Sequence, residues 1–506
     1  MLGCSKLQYT LGLSSLALSL WLGSCKTKEK FPELGSKITG ATDIATAPSS
    51  RYFYVLNSDY ERKYNEGSLV VIDPDAAAGS EKVATISTRR LGRSMTVGQG
   101  QMVLTYDSPD LKDTGYVEIW SLANETAPVL TQTFDIKCSP IQSAVAPSKP
   151  YFAVTCANGD LYMGALGAGT DASLDRVRGY GHEHRALYFY EGASKTYLLG
   201  FPSDSDLPEY DDFEAADQKH YVPNADKTQE GTMVDGPNGV PDRFEDTASA
   251  RRRISGTLPY RMFVFNVTDE LAASSGQTDG AKFRTVELGT YSAPTQANNE
   301  LLYLYYTVRD LSGQTSSGDG TSDLYGRYYR TNFWDVKRAL EGSGESFYLS
   351  QRGNAYGSAS NQVLRLDLDE TALDKVGKSE VRFEEIFQVE RVYGFALDRD
   401  STGRFPSSFA IAKIEGEPML IINHFRDLVN FSQAPFYSLT RKFLESPLSA
   451  DRPSSINSVD FHSSYYQVAV SQSGKVLTSS FYGNALLIFD ARPSVDFGAQ
   501  TPVRIE

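Results

Sequence analysis

Apolar and polar residues alternate in short runs along most of this chain, and Pro and Gly punctuate the runs. Ser143–Gly164, SAVAPSKPYFAVTCANGDLYMG, shows the unit most plainly. It reads as strand, tight turn, strand, short turn, strand. Ala146–Pro150 and Asn158-Gly159 are the turns, because Pro presets φ and Gly supplies φ > 0. Tyr151–Cys156 between them is aromatic and β-branched, the composition of a half-buried strand. The same phrase occurs earlier as Asp43–Asp73, with Pro48 and Pro147 in matching places. Midway lies Met95–Trp120, with Gly98-Gln99-Gly100 at its turn. The step is about 50 residues, in the range of repeated four-stranded β units.

Three units thus run Asp43–Asp73, Met95–Leu122 and Ser143–Leu166, and a fourth opens at Arg185–Pro202 with Gly192–Lys195 as its turn. Ser203–Ser255 then breaks the pattern: it is acidic, poor in aromatics and rich in turns. It separates the fourth hairpin from Arg261–Val267 and is expected to be a loop inserted on one face of blade four. Regularity returns at Tyr291–Val308, and Ser312–Ser322 is a flexible loop. Asn332–Glu341 is the best short-helix candidate; strands follow at Ser346–Ser350, Gln362–Leu368, Ile386–Leu397, Phe409–Lys413 and Met419–Asn423. Ser458–Asp490 is the clearest late repeat. The count is seven units, or eight if Leu301–Leu368 divides in two. The expected fold class is all-β, a β-propeller of seven or eight four-stranded blades with an acidic loop insertion in blade four, spanning residues 36–498. Residues 31–40 and 499–506 are expected to close the ring by pairing within one blade.

The phrase strand–(A/S)-P-x-x-(K/R)–strand–turn–(V/L)-x-(V/I)-x-D resembles bacterial YVTN-type and WD40-like seven-bladed propellers. Ala47, Pro48, Arg51 and Val71-Ile72-Asp73 match it, as do Ala146, Pro147, Lys149 and Ile488-Phe489-Asp490. The tetrapeptide YVTN itself is absent. The resemblance covers most of residues 40–492 and implies a fold, which leaves function open.

The first residues read as a processing signal. Met1–Lys6 carries one Lys, and Leu7–Leu22 is apolar, uncharged and short for a membrane span. Leu22-Gly23-Ser24-Cys25 resembles the bacterial lipoprotein signal. That resemblance implies a signal peptide over 1–24, lipidation of Cys25, and a lipidated tether over 25–35. Lys26 follows the Cys where an inner-membrane retention aspartate stands in enteric bacteria, which points to the outer membrane. Cys4 leaves with the signal. Cys138 and Cys156 remain, in an oxidising compartment if the chain is exported. Their midpoint is Pro147, inside a predicted turn, so a cross-strand disulfide or a pair of buried thiols is expected.

Composition narrows the chemistry. A net charge of −14 argues against sequence-independent nucleic-acid binding, which needs a basic patch. Val234–Asp246, VDGPNGVPDRFED, resembles the calcium-binding units of thrombospondin type-3-like repeats. Asn238, Asp242, Glu245 and Asp246, with Asp235 as a further donor, are its candidate oxygen ligands. Gly236 and Val234 stand where that family has Asp, so two ligands are missing, and a solvated acidic turn is the alternative. Calcium is the only cofactor suggested. His182 and His184, which alternate along a strand start, form a weaker metal candidate with His220. Arg251–Arg253 and Arg89, Arg90 and Arg93 are basic clusters with acidic neighbours available for pairing. No Gly-x-Ser-x-Gly elbow, P-loop or dinucleotide fingerprint is present. The expectation is a lipid-anchored, non-catalytic scaffold for a protein or glycan partner. The alternatives are a lactonase-like hydrolase with a metal in its channel, and a calcium-dependent adhesion module.

Overall fold

The apolar runs sort by how many of their sides are covered. Phe53–Asn57 and Gly67–Ile72 are buried along their whole length, whereas Lys82–Thr88 alternates covered and exposed residues. The first two lie inside a sheet packed on both faces; the last is its outer edge. A computed structural model of the chain describes residues 31–59, 62–109, 114–167, 173–177, 183–203, 261–268, 284–287, 333–342, 344–351, 361–376, 383–395, 404–426, 437–444, 456–461, 465–480 and 484–506. Within them, 28 strands form seven four-stranded antiparallel sheets.

Blade 1 is β1 (Ala41–Thr46), β2 (Phe53–Asn57), β3 (Gly67–Ile72) and β4 (Lys82–Thr88); blade 2 is β5 (Gly92–Gly98), β6 (Gln101–Asp107), β7 (Gly115–Ser121) and β8 (Val129–Ile136). Blade 3 is β9 (Pro140–Val145), β10 (Tyr151–Cys156), β11 (Leu161–Ala165) and β12 (Ser173–Val177). Blade 4 is β13 (His184–Glu191), β14 (Thr196–Pro202), β15 (Arg261–Asn266) and β16 (Arg284–Glu287). Blade 5 is β17 (Phe333–Arg338), β18 (Ser346–Gln351), β19 (Asn361–Leu368) and β20 (Phe387–Phe395), with two single-turn helices, α1 (Glu370–Leu373) and α2 (Phe383–Ile386), before its last strand. Blade 6 is β21 (Arg404–Ile414), β22 (Glu417–Arg426), β23 (Tyr437–Phe443) and β24 (Ile456–Phe461). Blade 7 is β25 (Tyr465–Val470), β26 (Lys475–Ser480), β27 (Ala485–Asp490) and β28 (Val503–Ile505). The first strand of each blade lies beside the first strands of its two neighbours, so these seven ring a central channel. The molecule is a seven-bladed β-propeller.

Side chains alternate along a strand, so each blade feeds two cores. Phe53 and Val55 meet Ala469, Leu477 and Leu486 of blade 7, while Tyr54 and Leu56 meet Met95, Leu104 and Trp120 of blade 2. One apolar cluster of this kind fills each of the seven junctions. The antiparallel order also divides the connections. First-to-second and third-to-fourth connections fall on one face, here the turn face. Second-to-third and blade-to-blade connections fall on the other, here the crossover face.

The repeated phrase has a physical basis in this arrangement. Arg51, beside the first turn, pairs with Asp73 at the end of the third strand at 3.0 Å, and Lys475 pairs with Asp490 at 2.9 Å. Burial alone would raise the Asp490 carboxyl, but hydrogen bonds from Arg492 and Lys475 outweigh it and hold the group down to about 2. The serine after each turn proline is tied to a later segment. Ser49 N donates to Glu125 and Ser148 N to Glu191, each at 2.8 Å.

Two expectations change. Asn332–Glu341 is no helix: Phe333–Arg338 is β17, paired with β18. Phe333 is fully buried against Phe201, and that packing with strand pairing overrides local helix propensity. Nor do the chain ends share a blade. Val503–Ile505 is the outer strand of blade 7, built wholly from residues 465–505, while residues 31–40 form no strand. Ser346–Gln351 and Asn361–Leu368 fall in one blade. The 203–255 insertion, apart from Ser203 at the end of β14, and the Tyr291–Val308 and Ser312–Ser322 stretches lie outside the described residues.

Candidate functional site

The channel is the one place where all seven blades meet. It holds a cavity of about 460 Å³ lined by the seven first strands. Each of those strands slips register against its partner near its start, as between Ala41 and Asp43, Gly92 and Ser94, or His184 and Ala186. The same break occurs between Phe333 and Val336, Pro406 and Ser408, and Tyr465 and Val468, and in blade 3 it falls between Thr155 and Cys156 opposite β9. A bulge bends its strand and re-aims the side chains that follow. Here it sets polar residues at the channel end of each blade.

Two of them are carboxylates used in the same way. Asp43 accepts the N–H of Ile44 at 2.8 Å and, across the junction, that of Met95 at 2.7 Å. Asp335 accepts the N–H of Val336 at 2.9 Å and that of Phe409 in the next blade at 3.3 Å. Ser408 repeats the device with a hydroxyl, accepting Val468 N at 3.2 Å. Hydroxyls link blades 2 and 3, where Thr96 donates to Ser143 O at 2.8 Å, and Thr155 donates to His184 O at 2.7 Å between blades 3 and 4.

The charges concentrate on the blade 4–5 side. Lys337 Nζ lies 2.9 Å from Asp335, and the Arg185 guanidinium pairs with Glu183 and stacks over Trp334 at 4.3 Å. Burial pushes the Asp43 carboxyl up to about 7; the Met95 N–H and the Lys337 charge pull the other way, and Asp335 adds to the rise. Each channel carboxylate therefore spends one oxygen on the neighbouring strand and the other on the next N–H of its own strand. Among the described residues, no three His, Cys, Asp or Glu side chains are grouped closely enough to hold a metal ion.

The residues singled out from the sequence are scattered. His184 opens β13, is 1% exposed, and packs edge-on against Phe263 at 4.8 Å between ring centres. His182, His220, Cys25, and Asn238, Asp242, Glu245, Asp246 and Asp235 lie outside the described residues. The sulfurs of Cys138 and Cys156 are bonded, with Cα atoms 5.9 Å apart, in the blade 2–3 junction. The hairpin between them pairs Ser143 with Val154, so it turns about Ser148–Lys149 and not Pro147; past the register shift Cys156 stands opposite Pro140, two residues from Cys138, and the disulfide runs diagonally across the pair. Asp43, Asp335, Lys337 and the Arg185–Trp334 pair escaped sequence reasoning. The signal available was Asp-Ile and Asp-Val at the same phase of two repeats, Asp43-Ile44 and Asp335-Val336.

No protein-family model matches the sequence, and no curated protein matches it. Similar solved structures include the β-propeller domain of Myceliophteria thermophila Cps50 (Swd1). It is 6% identical, with 89% of this chain and 97% of that one covered and a TM-score of 0.44. Saccharomyces cerevisiae Sqt1 is 9% identical, over 92% and 86% of the two chains, with a TM-score of 0.45. The dihydro-heme d1 dehydrogenase NirN is 10% identical, over 94% and 68%, with a TM-score of 0.39. Likenesses this remote bear on neither ligand nor activity.

Proposed function

We propose that this chain is a lipid-anchored protein of the bacterial cell envelope whose propeller binds a protein or glycan partner and performs no chemistry of its own. The observation that carries this reading is the inequality of the two faces. First-to-second connections on the turn face are as short as 99–100 and 415–416. The longest connections, 203–260 and 288–332, both leave and re-enter on the crossover face, at blades 4 and 5. Repeat folds carry recognition on such connections, positioned by a rigid ring. The channel carboxylates, occupied as interblade fasteners, support recognition over acid–base catalysis. The anchor rests on Leu22-Gly23-Ser24-Cys25, and Lys26 after it favours the outer membrane.

The test has two parts. Cells grown with an alkyne-tagged fatty acid should label the wild type and not Cys25→Ser, and only the wild type should sediment with membranes. A photocrosslinker at Asn158, in the second-to-third turn of blade 3, should trap a partner that one at Ser194, on the turn face, does not. Deleting 204–255 should abolish that product. Equal crosslinking from both faces, or a product indifferent to the deletion, defeats the reading.

A second reading is carried by Val234–Asp246 within the 203–260 connection. We propose that Asn238, Asp242, Glu245 and Asp246 bind calcium there, and that adhesion through this connection depends on the ion. Calcium should raise Tm, and Asp242→Ala with Glu245→Ala should remove the response. A Tm indifferent to calcium and EDTA in the wild type defeats it.

A further inference from the structure

The anchor and the two faces are connected by the path of residues 31–40. Asn65 N donates to Pro32 O at 3.3 Å, Asn57 Nδ2 to Lys37 O at 2.7 Å, and Gly40 N to Asn484 Oδ1 at 3.3 Å. The Arg90 guanidinium lies 5.9 Å from the Phe31 ring. Asn65 belongs to the second-to-third connection of blade 1, Asn484 to that of blade 7, and Arg90 to the passage from blade 1 to blade 2. All three are crossover-face positions. Leu34 and Ile38, at 1% and 3% exposure, pin the segment there, while Phe31 remains exposed.

From these contacts we infer that the crossover face is held against the bilayer and the turn face points away from it. The inference rests on the lipidated-Cys25 reading above. Only six peptide steps separate Cys25 from Phe31, a reach of at most about 22 Å. A blade strand of five to eight residues is itself about 17 to 26 Å long. A tether fixed at the crossover face would spend all or nearly all of its length merely reaching the level of the turn face, which disfavours drawing that face to the membrane. Lys26, Lys28 and Lys30 against Glu29 give the tether a net positive charge suited to anionic headgroups.

The experiment uses the full lipidated chain in vesicles of phosphatidylcholine and phosphatidylglycerol carrying a headgroup quencher. A dye is placed at Lys137→Cys, an exposed crossover-face site between blades 2 and 3, or at Ser194→Cys, an exposed turn-face site in blade 4. Quenching at residue 137 should be at least threefold stronger than at 194. Equal quenching, as from a propeller standing on its rim, or the reverse order, overturns the inference. Flotation and the mass of the N-terminal peptide are read on the same samples. A chain that floats with its lipid yet quenches equally overturns the orientation alone. A chain that neither floats nor carries lipid defeats the anchor reading, and the inference falls with it.

Discussion

The junction between blades 1 and 2 and that between blades 4 and 5 solve one problem by different means. At the first, the Asp43 carboxylate reaches from one inner strand to the Met95 N–H of the next, above a mixed core in which Leu56, Leu69, Val71, Met95 and Leu104 surround Tyr54, Tyr106 and Trp120. At the second, the core is aromatic: Tyr188 stacks on Phe347 at 4.3 Å, and Phe201 and Phe387 each lie within about 6 Å of the same ring. Its polar contacts run between side chains around that core: Tyr188 donates to Gly344 O, Tyr190 to Glu370, and Lys195 pairs with Asp374. The aromatic junction joins segments separated by the longest connections, 203–260 and 288–332. A junction that must gather distant chain relies on large apolar area, whereas one between consecutive hairpins is set by a directional hydrogen bond.

Substitutions can break this contrast. Phe347→Ala removes a fully buried ring shared by both blades, and should cost about 3–5 kcal/mol in a denaturant titration. Reducing the Cys138–Cys156 bond releases a loop of sequence separation 18 in the neighbouring junction. Stability should fall by about 3 kcal/mol in the same titration. Asp43→Ala leaves two N–H groups in a buried junction without their acceptor, a loss of about 2 kcal/mol.

The same carboxylate sets a pH signature. Its folded-state pKa is raised to about 7, from an unfolded value of about 3.9. Its contribution is therefore fully present below pH about 4 and is lost as pH rises to about 7. The stability of the wild type relative to Asp43→Asn should fall across that window and stay level above it; a flat difference would show that Asp43 does not titrate there. The smallest effect is expected at Arg51→Ala. The Arg51 side chain is largely exposed, and Tm should move by no more than the error of a melt.

Much of the ring was legible because its hairpins announce themselves locally. Pro48, Gly98-Gln99-Gly100 and Pro147 each fix a turn, and the apolar runs on either side become paired strands. The channel was not legible, for a reason of phase. A single extra residue at the start of each first strand reverses which side chains face which neighbour. The one mark beside Thr42 and Trp334 is the shared Asp-Ile and Asp-Val, which does not by itself give the phase. β17 was missed because NFWDVKRALE has no preference strong enough to resist its setting; Phe333 is drawn into the blade 4–5 core and the backbone follows. The midpoint of Cys138 and Cys156 located the right hairpin, but the strands pair about Ser148–Lys149, and a diagonal disulfide does not report that centre.

Each blade is completed by four strands consecutive in the chain, and no strand is lent from one end to the other. For a chain synthesised from its N-terminus, each sheet can finish its hydrogen bonding as its own residues emerge. Six of the seven junctions can then form in order of synthesis. The seventh waits for the last residues, because Ile38, Ala41 and Ile44 have their seam completed by Leu486, Ile488 and Ile505. Until residue 505 arrives, the growing molecule is an open arc with apolar surface at both ends. Truncation near the C-terminus would therefore cost the closed ring, while the sheets already made keep their own pairing.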